Sequence, residues 1–185
     1  LISKAGSDAR YVARIDVHKR PGLPADRYYE LIPVTASMKE DPVAAEVIND
    51  WEARLGAEMD VVVGSTLQPL DAADIRLRAS ETNAGNLLAD LVRREAQADV
   101  GLMNAGGIRG NRVYAAGPLT RRSILQIHPF GNVICKIEVT GALLKRALEY
   151  GVSKLPAVAG HFPQVSGVTF KVRVSEPAGN RVRDI

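Results

Sequence analysis

The stretch Asp99-Val-Gly-Leu-Met-Asn-Ala-Gly-Gly-Ile-Arg109 ends an apolar run in an amide, two adjacent glycines and a guanidinium. Glycine permits positive φ and lets another group approach the main chain closely. Backbone N–H groups beside an arginine receive an oxyanion or a polar heteroaromatic ring. The same spacing also describes a strand end with a glycine turn and a surface arginine. Arg78 precedes Ser80-Glu-Thr-Asn-Ala-Gly-Asn86, a segment rich in capping residues. A helix N-terminus beside a guanidinium favours an anion, while locally a capped helix with a solvent-facing arginine is the safer reading. His128-Pro-Phe-Gly-Asn132 holds an aromatic inside a Pro/Gly break. Phe130 there is either a loop anchor or a platform for stacking a ring. The sharper reading joins Arg78, Asn104, the Gly106-Gly107 backbone, Arg109 and Phe130 into one ligand site.

A complete catalytic apparatus is not expected within the chain. The three histidines, His18, His128 and His161, lie far apart with no carboxylates framing them, so no metal-ligand cluster is predicted. His128, which precedes a proline, reads as structural. There is no G-x-S-x-G elbow and no phosphate-loop signature. Glu81 and Asp90 do not make an acid/base pair. Cys135, the single cysteine, lies in the apolar run Val133-Ile-Cys-Lys-Ile137 and reads as a buried core thiol.

The elements that must position these residues alternate in type. Tyr11–Val17 and Tyr28–Val34 read as strands around a Pro21-Gly22 turn, the second edge-like because of Pro33. Asp41-Pro42 opens a helix. Its apolar stripe of Val43, Val47, Ile48, Trp51 and Leu55 suits a packed linker helix, with Gly56 as its stop. Met59–Val63 reads as a buried strand. The pattern at Ile75–Arg78 is extended. A helix then runs to about Gln97 with Leu87, Leu88, Leu91 and Val92 inward, followed by the buried strand before Asn104. Gly117-Pro118 is a turn, and Thr120 caps a helix over residues 121–127. Val133–Val139 alternates as a strand, and Thr140 caps a helix that stops at Gly151. Val165–Val174 reads as one strand, with Ala178-Gly-Asn180 as its hairpin turn and Arg181–Ile185 as the return. Strands and helices mix without regular βαβ alternation, so the fold class is α+β.

Length and composition set outer bounds. The 185 residues, 46% hydrophobic and 24% charged, suit a globular chain with a real core. The net charge of +3 is small and its basic residues are scattered, which argues against a nucleic-acid tract. No apolar stretch is long enough to span a bilayer, and no signal peptide is recognisable. Leu1 and Arg183-Asp-Ile185 both fall within strand-like sequence, so a piece of a larger protein is expected.

Several motifs occur in a fixed order: Glu81-Thr-Asn-x-Gly-Asn-Leu-x-Ala-Asp90, Asn104-x-Gly-Gly-Ile-Arg109, Pro129-Phe-Gly-Asn132, Thr140-Gly-x-x-Leu-Lys and Phe162-Pro-Gln-Val-Ser-Gly167. From about residue 75 to 185 the chain resembles the C-terminal domain of the 5′-nucleotidase / UDP-sugar hydrolase / 2′,3′-cyclic-nucleotide phosphodiesterase family. The resemblance implies residues 1–40 as the tail of a preceding metallophosphoesterase domain. It makes residues 41–58 a linker helix and 59–185 a substrate-binding domain truncated at its C-terminus. It further implies that the N-terminal domain carries two divalent metal ions and hydrolyses the phosphoester, while the C-terminal domain holds the nucleoside end of a nucleotide. By that likeness Arg78, Asn104, Gly107 and Arg109 are substrate-binding and Phe130 is one of two aromatics that sandwich the base. The second aromatic and a ribose-binding aspartate belong to a segment beyond Ile185. The implied function is substrate recognition for a metal-dependent 5′-nucleotidase in nucleotide catabolism, periplasmic or secreted, with this portion alone inactive. The alternatives are a non-catalytic scaffold, or recognition for a 2′,3′-cyclic phosphodiesterase/3′-nucleotidase or UDP-sugar hydrolase.

Overall fold

In the computed structural model, which describes residues 4–6 and 9–185, the two alternating segments near the start pair with each other. β1 (Tyr11–His18) and β2 (Asp26–Pro33) form an antiparallel hairpin in which Tyr11 faces Pro33 and His18 faces Asp26. The strand character expected at Leu1 lies outside the described residues. α1 (Pro42–Met59) starts where Asp41 and Pro42 place it. The Asp41 carboxylate accepts the Val43 and Ala44 amides at 2.9 and 3.0 Å, so the cap is made. Gly56 does not stop the helix, which continues to Met59. The expected packed stripe is not packed: no residue of α1 is buried. The chain divides into two units, Leu1–Arg54 and Leu55–Ile185.

The second unit holds the core. β3 (Val62–Thr66) begins later than expected, and Val61, Val62 and Val63 are exposed rather than buried. β4 (Leu70–Asp71) is followed by α2 (Asp74–Leu77), a single helical turn where extended chain was expected. Asp71 is what turns the chain there. It accepts the Ala73 amide at 3.1 Å and pairs with Arg76, whose guanidinium holds the Asp71 carboxyl below the ordinary carboxylate range.

α3 (Asn83–Glu95) starts inside the segment expected to be loop. Thr82 is its N-cap, with Oγ1 accepting the Gly85 amide at 3.1 Å. Asn83 ties α3 to the strand before it, accepting the Asp71 amide at 2.8 Å and donating to Pro69 O at 2.7 Å. The helix buries Ala84, Gly85 and Ala89 and half-buries Leu87, Leu88 and Val92, whereas Leu91 faces solvent. β5 (Gly101–Asn104) is only half buried, with Leu102 and Asn104 exposed. A 3₁₀ turn at Ala105–Gly107 follows.

β6 (Val113–Tyr114) pairs with β4. β7 (Gly117–Thr120) pairs with β3, so Gly117-Pro118 lies in a strand rather than a turn. α4 (Arg121–Ile127) is capped by Thr120 as expected. The strand expected at Val133–Val139 does not form. Residues 131–140 are exposed, with Val133 at 84% and Ile137 at 77%, and Cys135 is exposed rather than a core thiol. Alternation supplies a face, but a strand needs a neighbouring backbone to complete its ladder, and no described segment pairs there.

α5 (Gly141–Gly151) is capped by Thr140. β8 (Pro163–Ser166) pairs antiparallel with β5, placing Met103 opposite Gln164 and Asn104 opposite Pro163. The single strand expected over 165–174 is broken at Gly167, whose φ is +77°. A side chain there would collide with the Asp99 carbonyl, so glycine is required twice over. β9 (Lys171–Val172) and β10 (Val182–Arg183) then form the expected hairpin.

Leu77, Ile108, Leu148, Val152 and Val182 are fully buried and draw α2, the 3₁₀ turn, α5 and β10 around one core. Each such side chain contributes roughly 1.5–3 kcal/mol on burial. The last turn of α5 leaves carbonyls without helical partners. Just past the helix end, Arg181 Nη1 gathers the carbonyls of the following turn, donating to Val152, Ser153 and Leu155 at 2.9, 3.1 and 2.8 Å. The buried Glu149 carboxylate accepts the Arg181 and Val182 amides at 2.9 and 2.8 Å. This clamp anchors the chain just before the loop at 157–162, on which the candidate site is built.

Candidate functional site

The loop at 157–162 is the hub. Gly160 O accepts the Gly106 amide at 2.7 Å and Asn104 Nδ2 at 3.3 Å. Phe162 O accepts the Ala105 amide at 2.8 Å. On the other side, the Ala159 amide donates to Arg78 O at 3.1 Å. The expected site residues Arg78 and Asn104, far apart in sequence, thus meet the same short loop.

The two glycines after Asn104 have different tasks. Neither has positive φ. A Cβ on Gly106 would lie 3.0 Å from Gly160 O and 3.1 Å from Gly160 Cα, so the first glycine exists for close backbone approach. Its amide is spent on Gly160, which corrects the expectation that the Gly106 N–H stands open to a ligand. Gly107 is buried against Met103 and Asn104.

Past the glycines, the Arg109 amide donates to Ile127 O at 2.7 Å, joining this loop to the end of α4. Phe130 follows three residues later, and the Arg109 Cζ stands 5.2 Å from its ring centroid. That is cation–π distance. Phe130 remains 42% exposed, which fits a stacking platform and not a packed anchor. Arg109 is itself exposed and has no carboxylate partner among the described residues. Its N–H donors are open to an anion or a ring heteroatom.

Arg78 is placed differently. Its Nη2 pairs with Asp74 at 2.9 Å, and its Nε is shut off from water without a hydrogen-bond partner. No hydrogen bond or ion pair among the described residues joins it to Asn104 or Arg109. The N-terminus of α3 is not the open anion site expected beside it. Thr82 Oγ1 takes the Gly85 amide, and Gln164 Oε1 takes the Thr82 amide at 3.3 Å.

The histidines remain apart. His128 is half-buried, with Nδ1 enclosed and unpartnered. The His161 ring lies 4.9 Å from that of Tyr150, and its Nε2 is 3.4 Å from Ser153 Oγ. No three His, Cys, Asp or Glu side chains among the described residues converge to hold a metal ion. These residues therefore do not fit a metal pair, and what the site offers is cations, amides and one ring.

Sequence reasoning missed three contributors. Asp74 neutralises Arg78. Gly160 supplies the carbonyl that gathers Asn104 and Gly106. Gln164, 1% exposed, grips the Arg78 turn. An amide in a short apolar strand is the one local signal that pointed to Gln164, because a buried amide must find partners.

Residues 62–185 match the family model described as 5′-nucleotidase, C-terminal domain. The trifunctional nucleotide phosphoesterase YfkN of Bacillus subtilis is 28% identical over the whole chain, which covers 13% of that protein. The UshA protein of Escherichia coli is 29% identical over 91% of the chain, covering 34% of its own length. The crystal structure of a 5′-nucleotidase precursor from Thermus thermophilus superposes with a TM-score of 0.69. It is 30% identical over 94% of this chain and 35% of its own. The chain therefore spans about a third or less of these relatives.

Proposed function

Because the chain belongs to the family of 5′-nucleotidase C-terminal domains, we propose that it is the substrate-recognition part of a metal-dependent nucleotide phosphohydrolase. Arg78, Asn104, Gly107, Arg109 and Phe130 hold the nucleoside end of the substrate. Residues 1–40 are the tail of a preceding metallophosphoesterase domain, 41–58 the connecting helix, and 59–185 the recognition domain, which continues past Ile185. The phosphoester is cleaved on that preceding domain, where two divalent ions supply the activated water. The full-length protein works in the periplasm or outside the cell.

The observation that carries this reading is the Arg109–Phe130 arrangement, with Arg109 five residues along the chain from Asn104. A half-exposed ring faces solvent with a guanidinium 5.2 Å from its centroid. The ring offers a base a stacking surface. Arg109 and Asn104 offer donors and an amide carbonyl to the heteroatoms at its edge and to the ribose. Holding the nucleoside sets the phosphate in register with the cleaving site, which is an entropic contribution to the rate.

The test is phosphate release by the full-length protein from 5′-, 3′- and 2′,3′-cyclic nucleotides and UDP-glucose, with Mn²⁺ or with chelator. Turnover of one nucleotide class with metal, and a raised KM in Phe130→Ala, is the expected outcome. No turnover of any nucleotide, or an unchanged KM in Phe130→Ala, sinks the reading.

A further inference from the structure

We propose that Gln164 is a positioning residue for nucleotide binding, acting through Arg78. The inference rests on the reading of Arg78 as a substrate contact. Gln164 sits on β8, and its side chain is almost wholly enclosed, at 1% exposure. Its Nε2 donates to Leu77 O at 2.9 Å and to Ser80 O at 2.8 Å, while Oε1 accepts the Thr82 amide at 3.3 Å. Both N–H bonds and the carbonyl of one amide are therefore spent on residues 77–82, the turn that carries Arg78. Leu77 precedes Arg78 directly, so its carbonyl belongs to the peptide plane from which Arg78 departs.

The same residue is tied to the other half of the site through its backbone. In the β5–β8 ladder Gln164 lies opposite Met103, and Pro163 lies opposite Asn104. One residue thus fixes the Arg78 turn with its side chain and the Asn104 strand with its main chain. The distance between the two proposed contacts is set there. The protein has also cleared space for this amide: a methyl group on Gly85 would run into the Gln164 side chain. A carboxylate at position 164 could not substitute, because it has no donor for the Leu77 and Ser80 carbonyls.

The experiment is a double-mutant cycle in the full-length enzyme, using Arg78→Ala, Gln164→Met and the pair. Methionine keeps the volume and removes the hydrogen bonds. KM and kcat are measured for the preferred nucleotide and for p-nitrophenyl phosphate, which has no nucleoside to hold. The expected result is a KM for nucleotide raised about tenfold by either single change, kcat within about twofold, and a double variant no worse than Arg78→Ala. Kinetics on p-nitrophenyl phosphate stay as in the wild type. Additive effects, an unchanged KM in Gln164→Met, or equal loss on both substrates overturns the proposal. If Arg78→Ala itself leaves the nucleotide KM unchanged, the parent reading of Arg78 fails, and that outcome is separate from failure at Gln164. Should Gln164→Met not fold, Gly85→Ala displaces the same amide from the opposite side and is held to the same criteria.

Discussion

The Arg109 guanidinium carbon lies 5.2 Å from the centre of the Phe130 ring, while the Arg109 amide is pinned to Ile127 O at 2.7 Å. The cation and the ring are thereby held together from two sides, across the end of α4. In the full-length enzyme Phe130→Ala is expected to raise KM for nucleotides by about 5- to 150-fold, the span of one base-stacking contact of roughly 1–3 kcal/mol. Phe130→Tyr, which keeps the ring face, is expected to retain most of the affinity. Steady-state kinetics with both variants checks this.

Gly106→Ala brings a methyl group to 3.0 Å from Gly160 O and 3.1 Å from Gly160 Cα. The obstacle is backbone, so the loop must move. A loss of about 1–3 kcal/mol is expected, as for other overpacked sites, with a raised nucleotide KM. Gly64→Ala meets nothing within 4 Å and is expected to stay within about 0.5 kcal/mol of the wild type. Urea unfolding midpoints of the two variants decide the comparison.

Thr82→Ala removes the cap of α3, leaving the buried Gly85 amide without its acceptor. The expected cost is about 1–2 kcal/mol. Thr82→Ser keeps the hydroxyl and is expected to recover most of it. Thermal unfolding of the two variants side by side is the check.

Asp71 titrates below its ordinary value in the native state, first through its hydrogen bond with Arg76. A carboxyl with a lowered native pKa contributes stability above its unfolded pKa of about 3.9 and loses it as pH falls through the native value. The wild type is therefore expected to be more stable than Arg76→Gln at pH 7, with the gap closing as pH drops below about 4. Denaturant titrations at pH 7 and pH 3 measure it. A gap that widens in acid would contradict the sign.

On the proposed division of labour, which assigns phosphoester cleavage to the preceding domain, the 185-residue chain by itself is expected to release no phosphate from any nucleotide, with or without Mn²⁺. Metal-dependent phosphatase activity of the isolated chain, lost in Arg109→Ala, would refute this.

The caps at Asp41, Thr120 and Thr140 could be read directly from the chain, because each satisfies an amide two or three residues away. So could the β1–β2 hairpin, the α+β class and the ordered motifs that point to the family. Burial could not. Val61–Val63 and Val133–Val139 have the composition of core strands yet stand exposed, because coverage is supplied by other segments and leaves no mark on a strand's own residues. Arg78, Asn104, Arg109 and Phe130 were recognisable as residue types that bind nucleosides. The placement of Arg78 and Asn104 against one loop was not, since it depends on Gly160 and Gln164, which meet their partners 56 and more than 80 positions away. A hydrogen bond to a neighbour in sequence is encoded where it is made, whereas one across the fold exists only after the backbone has brought its two ends together.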